Sequence, residues 1–243
     1  MHGRRIVRFA GTLLIAASAL TLAWVVVVWQ WQDPFTAIYT HFQQTRLSHD
    51  YDRRARGYRP HLGTGRDLAA IRRSVAAEAA AYRRTLRPGD AVGRLTIGRI
   101  GLDMVVVQGT GESELKKGPG HYAGSGLPGE GQLVYVAGHR TTYLAPFAHI
   151  DDIRTGDYVR FAVPYGTFTY RVTGHEVVPA DDLAVLKDEG HELLRLQACH
   201  PRFFATHRYI VDAALVSLTP KGGQTYALTP AAKLAAGLTP ARS

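Results

Sequence analysis

Three residues of this chain have types and settings suited to acyl transfer: Cys199, His139 and Arg208. Cys199 is the only cysteine among 243 residues. It ends the apolar run Leu193-Leu194-Arg195-Leu196-Gln197-Ala198 and is followed by His200-Pro201. Arg208 comes nine residues later, at the head of another strand-like run. His139 closes a third strand pattern, within Ala137-Gly138-His139-Arg140-Thr141-Thr142-Tyr143. Cysteine attacks a carbonyl as thiolate, and a free thiol with its ordinary pKa of about 8.5 is mostly protonated at neutral pH. A neighbouring imidazolium and guanidinium would each favour the anion. The guanidinium would also donate to a carbonyl oxygen as negative charge develops on it. Taken alone, Cys199 is equally compatible with a buried, inert thiol, because free cysteine is among the most buried residue types.

The elements that must position these side chains follow a membrane signal. Phe9 to Trp29 is apolar and uncharged, long enough as a helix to cross about 30 Å of hydrocarbon. Arg4, Arg5 and Arg8 precede it, and Trp24, Trp29 and Trp31 cluster at its far end. That asymmetry predicts a single-pass anchor with a cytoplasmic amino terminus and an external remainder. The alternative is a cleaved signal peptide, for which Ala16-Ala17-Ser18-Ala19 offers small residues. An odd cysteine on an oxidising face has no internal disulfide partner.

The formal charge of +9 is concentrated in arginines between Arg46 and Arg87. Outside a membrane, anionic lipid headgroups or wall polymers suit this field better than nucleic acid, which is not expected as a partner. A solvated helix face is the other explanation.

Four regions are expected: an anchor at 1–33, a juxtamembrane helical stalk at 34–90, a β domain at 91–219 and a flexible tail at 220–243. In the stalk, Phe35, Ile38, Phe42 and Leu47 roughly follow helical spacing. A second helix is predicted from about Asp67, with Leu68, Ile71, Val75, Ala79, Tyr82 and Leu86 on one side. Pro88-Gly89-Asp90 stops it. Beyond Ala91 come short strands: Leu95–Ile97, Met104–Val107, Leu133–Ala137, Asp157–Val163, Thr167–Thr173, Leu193–Cys199 and Tyr209–Leu218. Their spacing predicts a mainly β, antiparallel barrel or sandwich. Leu-Thr-Pro recurs at 218–220, 228–230 and 238–240, which reads as a weakly repetitive extension.

Other chemistry is disfavoured. His121, His149, His175, His191, His200 and His207 lack the spacing of a zinc site, and neither a metal nor another cofactor is expected. Gly124-Ser125-Gly126-Leu127-Pro128-Gly129 matches a dinucleotide fingerprint in letters only. Pro128 lies inside it and a strand follows, so it is a loop.

Taken together, Gly118-Pro119-Gly120-His121-Tyr122, Leu127-Pro128-Gly129-Glu130-Gly131, Ala137 to Tyr143 with Pro146-Phe147, and Cys199-His200-Pro201-Arg202 with Arg208 resemble the sortases, membrane-anchored cysteine transpeptidases of Gram-positive bacteria. Class E is the nearest match and class D the next. The resemblance covers Ala91 to Leu218. It implies an eight-stranded antiparallel β-barrel with short helices, Cys199 as nucleophile, His139 as general acid/base and Arg208 as the orienting, oxyanion-stabilising cation. Tyr143, Thr141 and Ala198 are candidate contacts for substrate, although Tyr143 is equally a candidate core residue. The implied substrates are secreted proteins bearing a Leu-Pro-x-Thr-Gly or Leu-Ala-x-Thr-Gly sorting signal, with an amine such as that of a peptidoglycan precursor as acceptor. One departure is plain: Arg195 and Ala198 stand where many sortases carry threonines.

Two rival readings remain open in the sequence. One is a cysteine peptidase using water as acceptor; the other is an anchored β-domain that binds wall polymer and carries an inert Cys199.

Overall fold

The computed structural model describes residues 2–31, 34–62 and 67–228. Helix α1 spans His2–Trp31, and its stretch Gly3–Val26 has a mean hydropathy of 2.0 with none of it buried. By length and composition it can cross a bilayer.

Helices α2 (Pro34–Gly57) and α3 (Leu68–Arg83) do not form a free stalk. Asp67 caps α3, its side chain accepting from the Ala70 amide at 2.6 Å. From there Ile71, Val75, Ala79 and Tyr82 enter the main core, as the spacing predicts. Helix α2 docks differently from expectation. Its buried face is Thr40, Leu47 and Tyr51, while Ile38 and Phe42 point to the exterior. Thr40 Oγ1 donates to Lys116 O at 2.8 Å. Gln44 brackets the backbone of Val105, donating to its carbonyl at 2.9 Å and accepting from its amide at 2.8 Å. Leu47 and Tyr51 then pack on Ala91, Val105 and Val107. Edge-strand backbone groups need partners, so polar side chains decide which side of α2 faces inward.

The β domain has nine strands: β1 Ala91–Ile97, β2 Leu102–Gln108, β3 Gly120–His121, β4 Leu133–Ala137, β5 Tyr158–Val163, β6 Gly166–Pro179, β7 Leu193–His200, β8 His207–Pro220 and β9 Tyr226–Ala227. A one-turn helix, α4 (Glu112–Leu115), follows β2. The order is β6-β5-β1-β2-β3-β4-β7-β8-β9, and β6 also pairs with β8. Eight strands therefore close into a barrel, with β9 added outside on β8.

The barrel is not wholly antiparallel, which corrects the expectation: β2 pairs β3, and β4 pairs β7, in parallel. The two-residue β3 carries no periodicity that sequence could reveal. The segment expected as a flexible tail also starts too early, because Pro220 belongs to β8 and Tyr226–Ala227 pairs with Ser217–Leu218. The last two Leu-Thr-Pro repeats fall wholly or partly outside the described residues.

The β4/β7 register is pinned at its base by Glu192, directly before β7. Its buried carboxylate accepts from the amides of Gly129 (2.9 Å) and Gly131 (3.2 Å), in the turn leading to β4, and from Tyr170 Oη (2.6 Å). Burial pushes its pKa up, against the pull of these three donors.

If α2 is an integral layer, Leu47→Ala should lower the unfolding free energy of the detergent-solubilised chain by about 2–4 kcal/mol. Phe42→Ala should change it by less than about 0.5 kcal/mol. Denaturant titration followed by circular dichroism distinguishes the two; equal effects would mean that the helix is not docked through this face.

Candidate active site

The parallel ladder of β4 and β7 runs from Leu133/Leu193 to Ala137/Gln197, and the Gly138 amide extends it by donating to Gln197 O at 3.0 Å. Two residues beyond the last pair lie His139 on one side and Cys199 on the other. Across the other edge of β7, Cys199 pairs with Arg208 in the antiparallel register of β8. Three side chains remote in sequence thus occupy neighbouring lanes at one end of the barrel.

Alternation along β7 sends Leu194, Leu196 and Ala198 into the core. Cys199 faces the outer surface with Arg195 and Gln197 and is half-buried, outside the core cluster. Ala198, expected as a substrate contact, is only 1% exposed. It packs inside the barrel and offers no surface to a ligand. Thr141 and Tyr143 are half-buried in the loop after His139, and Tyr143 adopts a left-handed φ of 55°.

His139 is half-buried against the Tyr143 ring, with centroids 5.2 Å apart. Its Nε2 is buried and makes no hydrogen bond, so none joins it to the Cys199 thiol. Catalytic hydrogen bonds are often formed only once substrate is bound. Burial lowers the His139 pKa, as does the positive charge of Lys116, while Glu112 opposes them. The shift favours the neutral imidazole over the imidazolium that would favour a thiolate.

Arg208 is half-buried, and its Nη1 donates to Ala205 O (2.9 Å) and His207 O (3.0 Å). Its guanidinium braces the loop 201–206 that joins β7 to β8. To meet an oxyanion it must share or release those carbonyls.

Two further arginines matter that residue pattern alone did not single out for the site. Arg140 follows His139 and is 4% exposed. It reaches Cys199 O (3.4 Å), His200 Nδ1 (2.8 Å) and Asp151 Oδ2 (2.5 Å), tying the His139 segment to the backbone of Cys199. Arg195 replaces an expected threonine. It is held across the β7/β8 pair by both oxygens of Asp212 at 2.7 Å, and it also donates to Val185 O at 2.9 Å. Arg195, Asp212, Glu176, Asp182 and Glu189 line a cleft of about 460 Å³ on the same sheet face as Cys199. A buried arginine can be inferred from sequence only through its partner, and Asp212 lies on another strand.

His121 takes no part in this cluster. It is fully buried and bonds Gln108 Oε1 (2.9 Å) and Gly126 O (2.8 Å), and burial pushes its pKa down to about 4. Among the described residues, no group of three His, Cys, Asp or Glu side chains is placed to hold a metal ion.

Replacing Lys116 with Gln removes the cation beside His139 and leaves Glu112 unpaired. Both changes favour imidazolium, so the His139 pKa should rise; proton NMR titration of the ring reads it. An unchanged or lower value would show that Lys116 does not act on this histidine.

The sortase domain family model matches residues 95–216. Sortase D of Bacillus subtilis is 35% identical over 128 residues, 51% of this chain and 63% of that protein. Sortase A of Bacillus anthracis is 26% identical over 131 residues, 54% of this chain and 62% of its own length. The chain thus spans somewhat less than two thirds of the curated relatives it matches. Among solved structures, sortase E from Streptomyces avermitilis is 33% identical at a TM-score of 0.50, covering 57% of this chain and 96% of that one. A Clostridium perfringens sortase D5 transpeptidase shares the fold at a TM-score of 0.59 and 21% identity, over 72% and 98% of the two chains.

Proposed function

This chain belongs to the sortase family, and on that premise we propose that it is a membrane-anchored cysteine transpeptidase of the class D/E group. The observation that carries the proposal is the double register: Cys199 opposite Arg208 on β8, and His139 at the matching height beyond β4.

The chemistry runs as acyl transfer. Cys199 Sγ attacks the carbonyl carbon of the Thr–Gly bond in a sorting signal, and His139 Nε2 accepts the thiol proton. A neutral imidazole whose Nε2 has no competing partner suits that step. Negative charge gathers on the carbonyl oxygen and is met by the Arg208 guanidinium. Collapse breaks the C–N bond, and the imidazolium returns its proton to the departing glycine amine. The upstream protein is left as a thioester on Cys199. An incoming amine then attacks the thioester carbonyl and gives its proton to His139, and the thiol leaves reprotonated.

The substrates are secreted proteins ending in a Leu-Pro-x-Thr-Gly or Leu-Ala-x-Thr-Gly signal, and the acceptor is an amine of the cell wall. Helix α1 holds the chain in the cell membrane with the barrel outside. The cleft beside Arg195 lies on the nucleophile's face and suits an extended segment approaching Cys199. Thr141 and Tyr143 flank His139 and are the remaining candidate contacts for the signal.

The test is cleavage of a fluorescent sorting-signal peptide with and without a small primary amine. Wild-type chain should yield the amide of the added amine in preference to free acid. Cys199→Ala should abolish turnover, His139→Gln should reduce it about 10²–10⁴-fold, and Arg208→Gln about 10²–10³-fold. Retained cleavage in Cys199→Ala would refute the assignment, whereas free acid alone despite excess amine would make the enzyme a peptidase.

A further inference from the structure

The barrel leaves an unusual set of apolar side chains uncovered at its catalytic end. Loop 201–206, directly after the Cys199 strand, carries Phe203 and Phe204, 58% and 76% exposed, with Phe203 in a left-handed conformation at φ 72°. On α2, Ile38 and Phe42 are 72% and 54% exposed, because Thr40, Gln44 and Leu47 claim the face that packs on the barrel. Isolated exposed apolar residues need no explanation, but two adjacent phenylalanines on a loop tip and a bare apolar helix edge at the same end do.

The course of the chain says what covers them. Thr36 Oγ1 accepts from the Tyr143 amide at 3.1 Å, and the Tyr143 ring lies against His139. The first turn of α2 is therefore fastened to the catalytic loop. Thr36 is only seven residues beyond Trp29, where the apolar stretch of the sequence ends. Seven residues cover about 10 Å as helix and at most about 25 Å extended. A bilayer crossed by α1 is thereby kept within about that distance of Thr36, the α2 residue fastened to the loop that follows His139. Helix α2 then runs away from this end toward Gly57, where Lys221 Nζ bonds the Tyr58 carbonyl. Charge agrees as well: exposed Arg46 stacks over Phe42 at 4.3 Å, and exposed Arg202 neighbours the two phenylalanines. Aromatic rings flanked by arginine suit an anionic headgroup layer.

We propose that the catalytic end of the barrel rests on the bilayer surface, with Phe203 and Phe204 inserted among the lipid headgroups and Ile38 and Phe42 against them. This rests on α1 spanning the membrane, and its consequence rests on the sortase assignment. An active site held there meets a sorting signal while the signal's protein is still tethered to the membrane, and it favours a lipid-borne amine over a soluble one.

Two arms on the full chain in vesicles containing phosphatidylglycerol test it. In the first, Trp24, Trp29 and Trp31 are replaced by Phe, and Phe204→Trp supplies the sole tryptophan. Lipids brominated high in the acyl chain should quench its emission at least twofold; emission equal to that in unbrominated vesicles overturns the proposal whether or not the chain has catalytic activity. In the second, the Phe203→Ser/Phe204→Ser variant is given one signal peptide in two forms, soluble and fused to a membrane-spanning tail. Cleavage of the tethered form should fall about tenfold, with the soluble form changed less than twofold. Equal loss on both would mean that the phenylalanines contact the peptide, and no loss on either would mean that they do nothing at the membrane; each result overturns the proposal. Failure of the unaltered chain to cleave either peptide would count against the sortase assignment and leave the quenching arm to decide the surface.

Discussion

The parallel pairing of β4 with β7 is the constraint on which the site depends. A single-residue slip would move His139 out of line with Cys199 and reverse the faces of every side chain on the strand. Glu192 fixes the base of this pairing by joining the turn before β4 to the start of β7. At the other end Gly138 is required by space. A Cβ there would lie 2.6 Å from a ring carbon of Phe147, while the Phe147 amide bonds His139 O at 3.0 Å. Arg140 then ties the segment to the Cys199 carbonyl and to Asp151. The site sits at the end of a clamped ladder, and little of its geometry is left to loop entropy.

Electrostatics divide the labour within that frame. Arg195 and Arg140 are buried and held by carboxylates and carbonyls, although the buried Nε of Arg140 has no partner, so they act as internal ties. Arg208 is partly exposed and donates to the carbonyls of Ala205 and His207; in the proposed mechanism it is the guanidinium that meets the developing charge. Burial and Lys116 both favour the neutral form of His139, which suits the base role proposed for it. The same helix that docks through Thr40 also holds Lys116 in place, which links the anchor-proximal helix to the histidine's charge state.

How much of this was legible in sequence depended on which force set each element. Strands with one buried face announced themselves by alternation, as in Tyr158–Val163; Leu133–Ala137 is found at the expected bounds as a continuous apolar run buried on both faces. Helix α3 showed its core residues through 3.6-residue spacing, because the face it turns to the core is mainly apolar. Cys199, His139 and Arg208 were visible as strand-end residues of the right chemistry, but their adjacency depended on a parallel pairing that no local pattern encodes. Helix α2 misled: its apolar residues suggested the wrong inner face, since hydrogen bonds from Thr40 and Gln44 to the barrel backbone outweigh Ile38 and Phe42. Ala198 illustrates the same limit, because next to the candidate nucleophile it looked like substrate surface, yet strand alternation puts it in the core.

The central claim is that Cys199 carries the acyl group, with its chemistry enabled by the two neighbouring strands. Intact-mass spectrometry of the chain mixed rapidly with a sorting-signal peptide tests this most directly. A hydroxylamine-labile adduct with the mass of the peptide up to its threonine, mapped by digestion to Cys199, is the expected result. Turnover with no adduct at that sulfur, or an adduct mapped to another residue, would contradict the account.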